Sequence, residues 1–355
     1  MKIETKIKNL IRNSGPISIS RYMEICLWDT ENGYYTSNEV LGEKGDFITS
    51  PEISQTFGEL IGLWALSFHQ QFINRDSLCI TELGSGRGTL LRDAIRSIYR
   101  VTNKQIDLDI TILEKSQRLI TLQKESLQNN NVRWVSDVKK FSSAPQIIIA
   151  NEFFDALPIN QYVKGSEGWH EKKIAIKNSE LCFTLENKIW VPSDSIFSNF
   201  KKGDTLEYSE HGVSIFSNIC NHLIKYDGVL LVIDYGNISG VGDTLQAVNG
   251  HEIVSVLEKP GQSDLSSHVN FKLLKEIARK KKLYVSPLID QQRFLLELGI
   301  KERLKSLTKN VRSPKAEKVA SEIKRLIDPD KMGTLFKVIA ITKNKKHLEG
   351  LNQYA

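Results

Sequence analysis

Apolar residues recur along this chain with two different periods, and the change from one to the other organises it. Over residues 1–76 the spacing is helical and short, broken by turn signals at "NSGP", "ENGYY" and "EKGD". From residue 78 onward, continuous apolar runs alternate with amphipathic stretches. "LCITEL", "LDITILE", "VRWVSDV", "QIIIANE", "GVLLVIDYG" and "LFKVIAITK" read as strands, and "LLRDAIRSIYR" reads as a helix. Strands without a polar face are buried on both sides. The pattern therefore predicts an α/β fold with a mostly parallel sheet covered by helices. Ligands of such sheets bind beyond the carboxyl ends of the strands. That rule puts the strand tips, including "ANEFFDALP" after the fourth strand, on one rim.

Two segments interrupt the alternation. Residues 160–210 carry short strand-like pieces ("QYVKG", "KKIAIKN", "LCFTLEN", "KIWVP") and read as an inserted β flap. Residues 237–335 read as loops and helices before the last strand. The organisation expected is an N-terminal helical extension and lid over 1–76, a main domain over 77–343 with those two insertions, and a tail over 344–355.

Composition narrows the functions open to such a fold. The chain has 355 residues, 40% hydrophobic and 25% charged, which is ordinary for a globular protein. Its longest apolar runs fall far below the roughly 18 residues a membrane span needs. A net charge of +6 with interspersed signs argues against nucleic acid. Its densest basic run, Arg279 to Lys282, closes an amphipathic stretch as cations at a helix end do. Cys26, Cys79, Cys182 and Cys220 are too far apart for a metal knuckle and read as free thiols of a reducing compartment. No metal-binding histidine spacing, nucleophile elbow or P-loop is present. The first residues combine basic side chains with Glu4 and contain no apolar signal region. Neither a mitochondrial presequence nor a signal peptide is therefore expected, and the cytoplasm is the expected compartment.

The candidate chemistry begins at "TELGSGRGT", where Gly84, Gly86 and Gly88 follow a strand and precede a helix. Such a loop is either a tight turn or a place where backbone approaches a ligand with no Cβ between them. Its spacing is G-x-G-x-G, not the G-x-G-x-x-G of dinucleotide binders. Glu82, just ahead of it, would repel a pyrophosphate but suits a ligand carrying an ammonium and a sulfonium. That ligand is S-adenosylmethionine. Glu114, ending the second strand, can accept from both ribose hydroxyls or be a surface acid. Asp137, after the third, either accepts from the adenine amino group or caps a helix.

At this point the sequence resembles the MidA-like methyltransferases, whose mitochondrial members assemble respiratory complex I. The resemblance is carried by "GPISISRYMEICLWDTENGYYT", "GDFITSPEISQTFGELIGLW", "ELGSGRGTL", "ANEFFDALPINQ", "IDYG", "DTLQAV", "SDLSSHVNF", "QQRFLLELGI" and "LIDPDKMGTLFKVIAI". It implies a Rossmann-like class I methyltransferase sheet, S-adenosylmethionine as donor and protein arginine as acceptor. The acceptor protein would be a complex I subunit or its bacterial equivalent. Ser85 stands where the family's loop usually has proline, and Asn270 where aspartate is usual. Two other readings stay open: an assembly factor with little turnover, and a methyltransferase of a different acceptor.

Arginine is a poor nucleophile because its charge is delocalised and it stays protonated, with a pKa above about 12. Two carboxylates can grip a guanidinium bidentately and leave density on its exposed nitrogen. Glu152 and Asp155 are the candidates for that grip. The alternative for Asp155 is the cap of a helix starting at "ALP". Asn151 could hold the methionine end of the donor or the loop itself. Phe153 and Phe154 could wall the site, with one of them in the core. Asp46, Thr49, Ser50 and Glu52 read as a helix start that the resemblance makes a lid. His268 is either structural or a proton shuttle.

Overall fold

The structure, a computed structural model, describes residues 2–37, 48–128, 130–190, 200–309 and 314–352. The chain forms two compact units. One is built from Met1–Phe47, Phe154–Phe216 and Gly236–Ile277, the other from Ile48–Phe153, Ser217–Tyr235 and Ala278–Ala355.

The second unit carries the principal sheet. Its main strands are β1 (Ser77–Leu83), β2 (Asp107–Leu113), β3 (Val132–Val135), β4 (Gln146–Asn151), β5 (Gly228–Asn237) and β6 (Phe336–Thr342). They run in the order β6-β5-β4-β1-β2-β3. The five strands β1 to β5 are mutually parallel, and β6 runs antiparallel to β5. Every residue of β4 is buried, as are Leu78 to Leu83 of β1, which is why these runs lack a polar face. Ile80, Ile110, Ile149 and Leu231 of the sheet join Phe57, Ile61, Leu91 and Ile95 of the helices in one core cluster. Helix Gln55–Phe68 crosses helix Thr89–Thr102 closely, because a Cβ on Gly62 would come within 2.6 Å of the Ala94 Cα. Strand order reverses between β1 and β4, and the crevice beyond their tips is where such sheets take ligands.

The other unit gathers what the alternation left out. Helix Ile3–Ser14 turns Ile3, Ile7 and Ile11 inward at a four-residue spacing. They pack with Tyr22, Met23 and Leu27 of helix Ile19–Trp28 and with Ile159, Ile174 and Leu265. The expected β flap is present. Strand Trp169–Lys177 pairs with Asn160–Lys164, Glu180–Trp190 and the short Ile17–Ser18, and Asn160–Lys164 also pairs with Thr205–Tyr208. Residues 237–335 hold helices as expected, at Phe271–Lys280, Gln291–Glu297, Ile300–Thr308 and Pro314–Ile327, and a small sheet that was not. They contain a three-stranded antiparallel sheet of Gln246–Asn249, Glu252–Val254 and Asp264–Ser266. Strands of three or four residues are too short to show a period. No helix among the described residues is long and apolar enough to cross a membrane.

Candidate active site

The tip of β1 turns through glycines that adopt positive φ: +61° at Gly84, +52° at Gly86 and +80° at Gly88. The Gly84 N–H donates to the Leu113 carbonyl at 3.0 Å, so the β1 tip stays in register with β2 before the chain turns. A Cβ on Gly84 would lie 2.8 Å from the Phe153 ring. Within the loop the Ser85 hydroxyl donates to Glu82. The serine thus replaces the stiffness of the family's proline with a bond to the carboxylate ahead of the loop. Burial pushes the Glu82 carboxyl up to about 7, against the pull of the Ser85 bond.

At the tip of β2, Glu114 is buried, and its Oε1 accepts from the Lys115 and Ser116 N–H groups at 2.8 and 2.9 Å. Its Oε2 accepts from Gln123 Nε2 at 3.3 Å. Burial raises its pKa, and these donors oppose the rise. It is therefore not a surface acid. A carboxylate has about four acceptor sites, so a ribose hydroxyl still finds room. Gln123 is the residue sequence reasoning missed here. Fully buried on helix Gln117–Ser126, it also donates to the Gly86 carbonyl at 2.9 Å and accepts from Trp134 Nε1 at 2.9 Å. One side chain therefore ties the glycine loop, β2 and β3 together. Its only signal was an amide on the inward face of a helix. Asp137, after β3, is exposed, and its Oδ1 caps the turn Val138–Lys140 through the Lys139 N–H at 2.8 Å.

At the tip of β4, Asn151 donates to Glu152 Oε1 at 3.3 Å, while its own buried Oδ1 has no hydrogen-bond partner among the described residues. Glu152 has φ +48°, a left-handed conformation that costs a non-glycine residue of order 1 kcal/mol or more. Its N–H donates to the Ile233 carbonyl at 2.9 Å, and its Oε1 accepts from the Ser50 N–H at 2.7 Å. Burial raises its carboxyl pKa, opposed by Ser50, Asn151 and the charge of Arg325. Asp234, the acid of "IDYG", is fully buried and accepts from the Phe153 and Tyr235 N–H groups at 3.1 and 3.0 Å. It fixes the backbone just after Glu152 and was not singled out from sequence. Ser50–Ile53 forms the expected helical turn with Pro51 in it, but Thr49 makes no side-chain cap bond. Glu52 instead accepts from the Thr89 hydroxyl at the start of helix Thr89–Thr102. Asp46 lies outside the described residues.

Asp155 and His268 belong to the other unit. No helix starts at Ala156, so the capping alternative for Asp155 is removed. The residue is buried, and its carbonyl accepts from the Ser267 N–H at 3.0 Å, beside His268. The Tyr35 hydroxyl donates to Asp264 at 2.9 Å. Burial raises the Tyr35 pKa well above that of an ordinary phenol, with the charges of Asp264 and Asp155 adding to it. The His268 N–H donates to the Thr244 hydroxyl at 2.8 Å, and burial lowers the pKa of its imidazole. The Thr244 hydroxyl in turn donates to buried Glu207, which also accepts from the Thr244 and Leu245 N–H groups at 2.9 and 3.0 Å. Phe154 packs edge-on against Phe216 at 6.1 Å between ring centroids and is the core phenylalanine of the pair.

The three strand tips of the sheet unit fit S-adenosylmethionine. They combine a glycine-rich loop, a desolvated carboxyl at each tip (Glu82, Glu114 and Glu152), and a buried amide oxygen with no donor among the described residues. The comparisons with known proteins agree. Residues 60–287 match the family model of S-adenosyl-L-methionine-dependent methyltransferases. The chain is 31% identical to the mitochondrial protein arginine methyltransferase NDUFAF7 of Homo sapiens, over 95% of this chain and 82% of that one. It is 31% identical to the NDUFAF7 homolog of Caenorhabditis elegans, over 93% and 84% respectively. Among solved structures, a Burkholderia thailandensis protein bound to S-adenosyl-homocysteine shares the fold, with a TM-score of 0.83 at 23% identity, covering 98% of this chain and 93% of that one. The chain therefore belongs to the S-adenosylmethionine-dependent methyltransferase family.

Proposed function

We propose that the protein transfers a methyl group to arginine in a protein acceptor, and that Glu152 grips the guanidinium. The observation that carries this reading is the Glu152 carboxylate itself. It stands next to the glycine loop's neighbour Phe153, on strained backbone, with one oxygen already fixed by the Ser50 N–H. Strain of this kind concentrates where geometry serves chemistry.

S-adenosylmethionine, when bound, supplies a methyl group on a positively charged sulfur. Gly84, Ser85, Gly86 and Gly88 let the backbone approach it, Glu82 and Asn151 hold its methionine end, and Glu114 holds its ribose. Asp137 accepts the adenine amino group through the oxygen not used in its cap. For the acceptor, the Glu152 carboxylate grips the guanidinium, which directs electron density to its exposed nitrogen. Phe153 excludes water from that nitrogen. The Glu152 carboxylate can then accept the proton released when arginine gains a carbon.

The acceptor to test first is a complex I-type subunit or its bacterial equivalent, as the resemblance implies. Four free thiols support a reducing compartment such as the cytoplasm. The experiment is incubation of a lysate with purified enzyme and methyl-labelled S-adenosylmethionine, followed by mass spectrometry. Label on arginine is expected with the wild type, and at least about a hundredfold less with Glu152→Gln. Label on another residue type or on small molecules overturns the arginine assignment. Donor binding with no transfer to any acceptor leaves the assembly role instead.

A further inference from the structure

The turn Ser50–Ile53 makes one contact at each end of the candidate site. The Thr89 hydroxyl donates to the Glu52 carboxylate, and Thr89 directly follows Gly88 of the glycine loop. Two residues before Glu52, the Ser50 N–H donates to Glu152 Oε1 at 2.7 Å. The two contacts cannot move independently. Between them lies Pro51, whose ring fixes its φ, and the turn is closed by the Ile53 N–H on the Thr49 carbonyl at 3.1 Å. Whatever holds Glu52 therefore holds the Ser50 N–H as well.

We propose that Glu52 is a positioning residue that fixes the Ser50–Ile53 turn against the glycine loop and so keeps the Ser50 N–H on the Glu152 carboxylate. The inference rests on the reading of Glu152 as the group that grips the acceptor. Its consequence is a link between the loop that takes the donor and the protonation of the carboxylate that takes the arginine. A hydrogen bond to the charged form favours that form, so losing the Ser50 bond makes Glu152 easier to protonate. Among the described residues, the Ser50 hydroxyl, Asn151 on its own strand and Arg325 of helix Pro314–Ile327 also face Glu152. Arg325 also favours the carboxylate, so the Ser50 bond sets only part of the balance.

The link can be read without knowing the acceptor. Infrared difference spectra across a pH titration follow the carboxylic-acid band that disappears in Glu152→Gln. In Glu52→Ala the midpoint of that band is expected to rise by about half a unit to one unit. Thr89→Val removes the other end of the same bond and should give the same shift, without touching Glu52. The double variant should shift no further than either single one. Glu52→Gln, whose amide oxygen can still accept from Thr89, should keep the wild-type midpoint. In the lysate assay, turnover of Glu52→Ala should fall more at pH 6 than at pH 8. Unchanged midpoints in Glu52→Ala and Thr89→Val, or shifts that add in the double variant, overturn the inference. The function on which it rests fails separately, if Glu152→Gln still labels arginine.

Discussion

The two units hold their polar groups by different means. In the sheet unit, much of the holding is local: Ser85 bonds Glu82, and the Lys115 and Ser116 N–H groups bond Glu114. In the other unit it is long-range. Tyr35 reaches Asp264 across 229 positions, and Glu207 collects Gln161 and Thr244 from 46 and 37 positions away. The difference follows from architecture. A parallel sheet brings its strand tips together whatever lies beyond them. Turn chemistry then finishes the β1 and β2 tips, while the β4 tip is held from Ser50 and Asp234. The other unit has short antiparallel sheets in place of that frame, and its polar network helps to set the register. The glycine loop of the sheet unit should therefore fail by local backbone changes, and the other unit by loss of buried hydrogen bonds.

The largest expected effect tests the local half. Valine at Gly84 would need positive φ from a β-branched residue and would meet the Phe153 ring, since even a bare Cβ lies 2.8 Å from it. Calorimetry should show S-adenosylmethionine affinity reduced about a hundredfold in Gly84→Val. Near wild-type affinity would mean the loop does not need its backbone bare. The counterpart in the other unit is Glu207→Ala. It removes the acceptor of the half-buried Thr244 and Leu245 N–H groups and one of the two acceptors of buried Gln161 Nε2, which keeps Asp243. Denaturant unfolding should register a loss of about 2 kcal/mol. A loss within about 0.5 kcal/mol, the range of an ordinary surface change, would show that the network does not set the register.

The same contrast explains what could be read from the sequence. The central strands of the principal sheet were legible because burial on both faces removes the polar alternation from runs such as "QIIIA". Glu82, Glu114 and Glu152 were legible because each stands at or just after the end of such a run. Gln123 and Asp234 were not. Gln123 sits inside a helix and Asp234 inside β5, and only the neighbouring turns, far away in sequence, give their polar groups a purpose. The small sheet of residues 246–266 escaped because its strands are too short to repeat anything. Asp155 could be a cap or a site residue from its neighbours alone, and only the absence of a helix at Ala156 removes the first option.

A smaller effect concerns the charge on Glu82. Its carboxyl pKa is raised by burial to about 7, whereas the unfolded chain has an ordinary glutamate. A cationic ligand binds the ionised form better, so donor binding should release a proton below pH 7. Affinity should then fall by up to about tenfold per pH unit as pH drops below that midpoint. For stability the sign is opposite. A raised folded pKa favours folding below the unfolded value, and that contribution is lost as pH rises through about 7. Glu82→Gln should therefore flatten the pH dependence of donor affinity and raise stability at pH 8. A wild-type slope surviving in Glu82→Gln would assign the titration to another group.

The smallest expected effect decides the role of Asp137, where the local rule of the sheet unit is least secure. One of its oxygens caps the turn Val138–Lys140, and this alone accounts for an acid at that position. If the other oxygen also accepts from adenine, the two functions separate in a single substitution. Asp137→Asn keeps an oxygen for the Lys139 N–H but presents an amide N–H₂ to the adenine amino group, setting donor against donor. Stability should stay within about 0.5 kcal/mol, while affinity for S-adenosylmethionine falls about fivefold. Asp137→Ala should lose both, with about 1 kcal/mol of stability gone along with the cap. Unchanged affinity in Asp137→Asn reduces this residue to a cap. The adenine amino group would then have to be read by the backbone of the β3 tip, which would make the donor half of the site still more a matter of local turn geometry than of side chains.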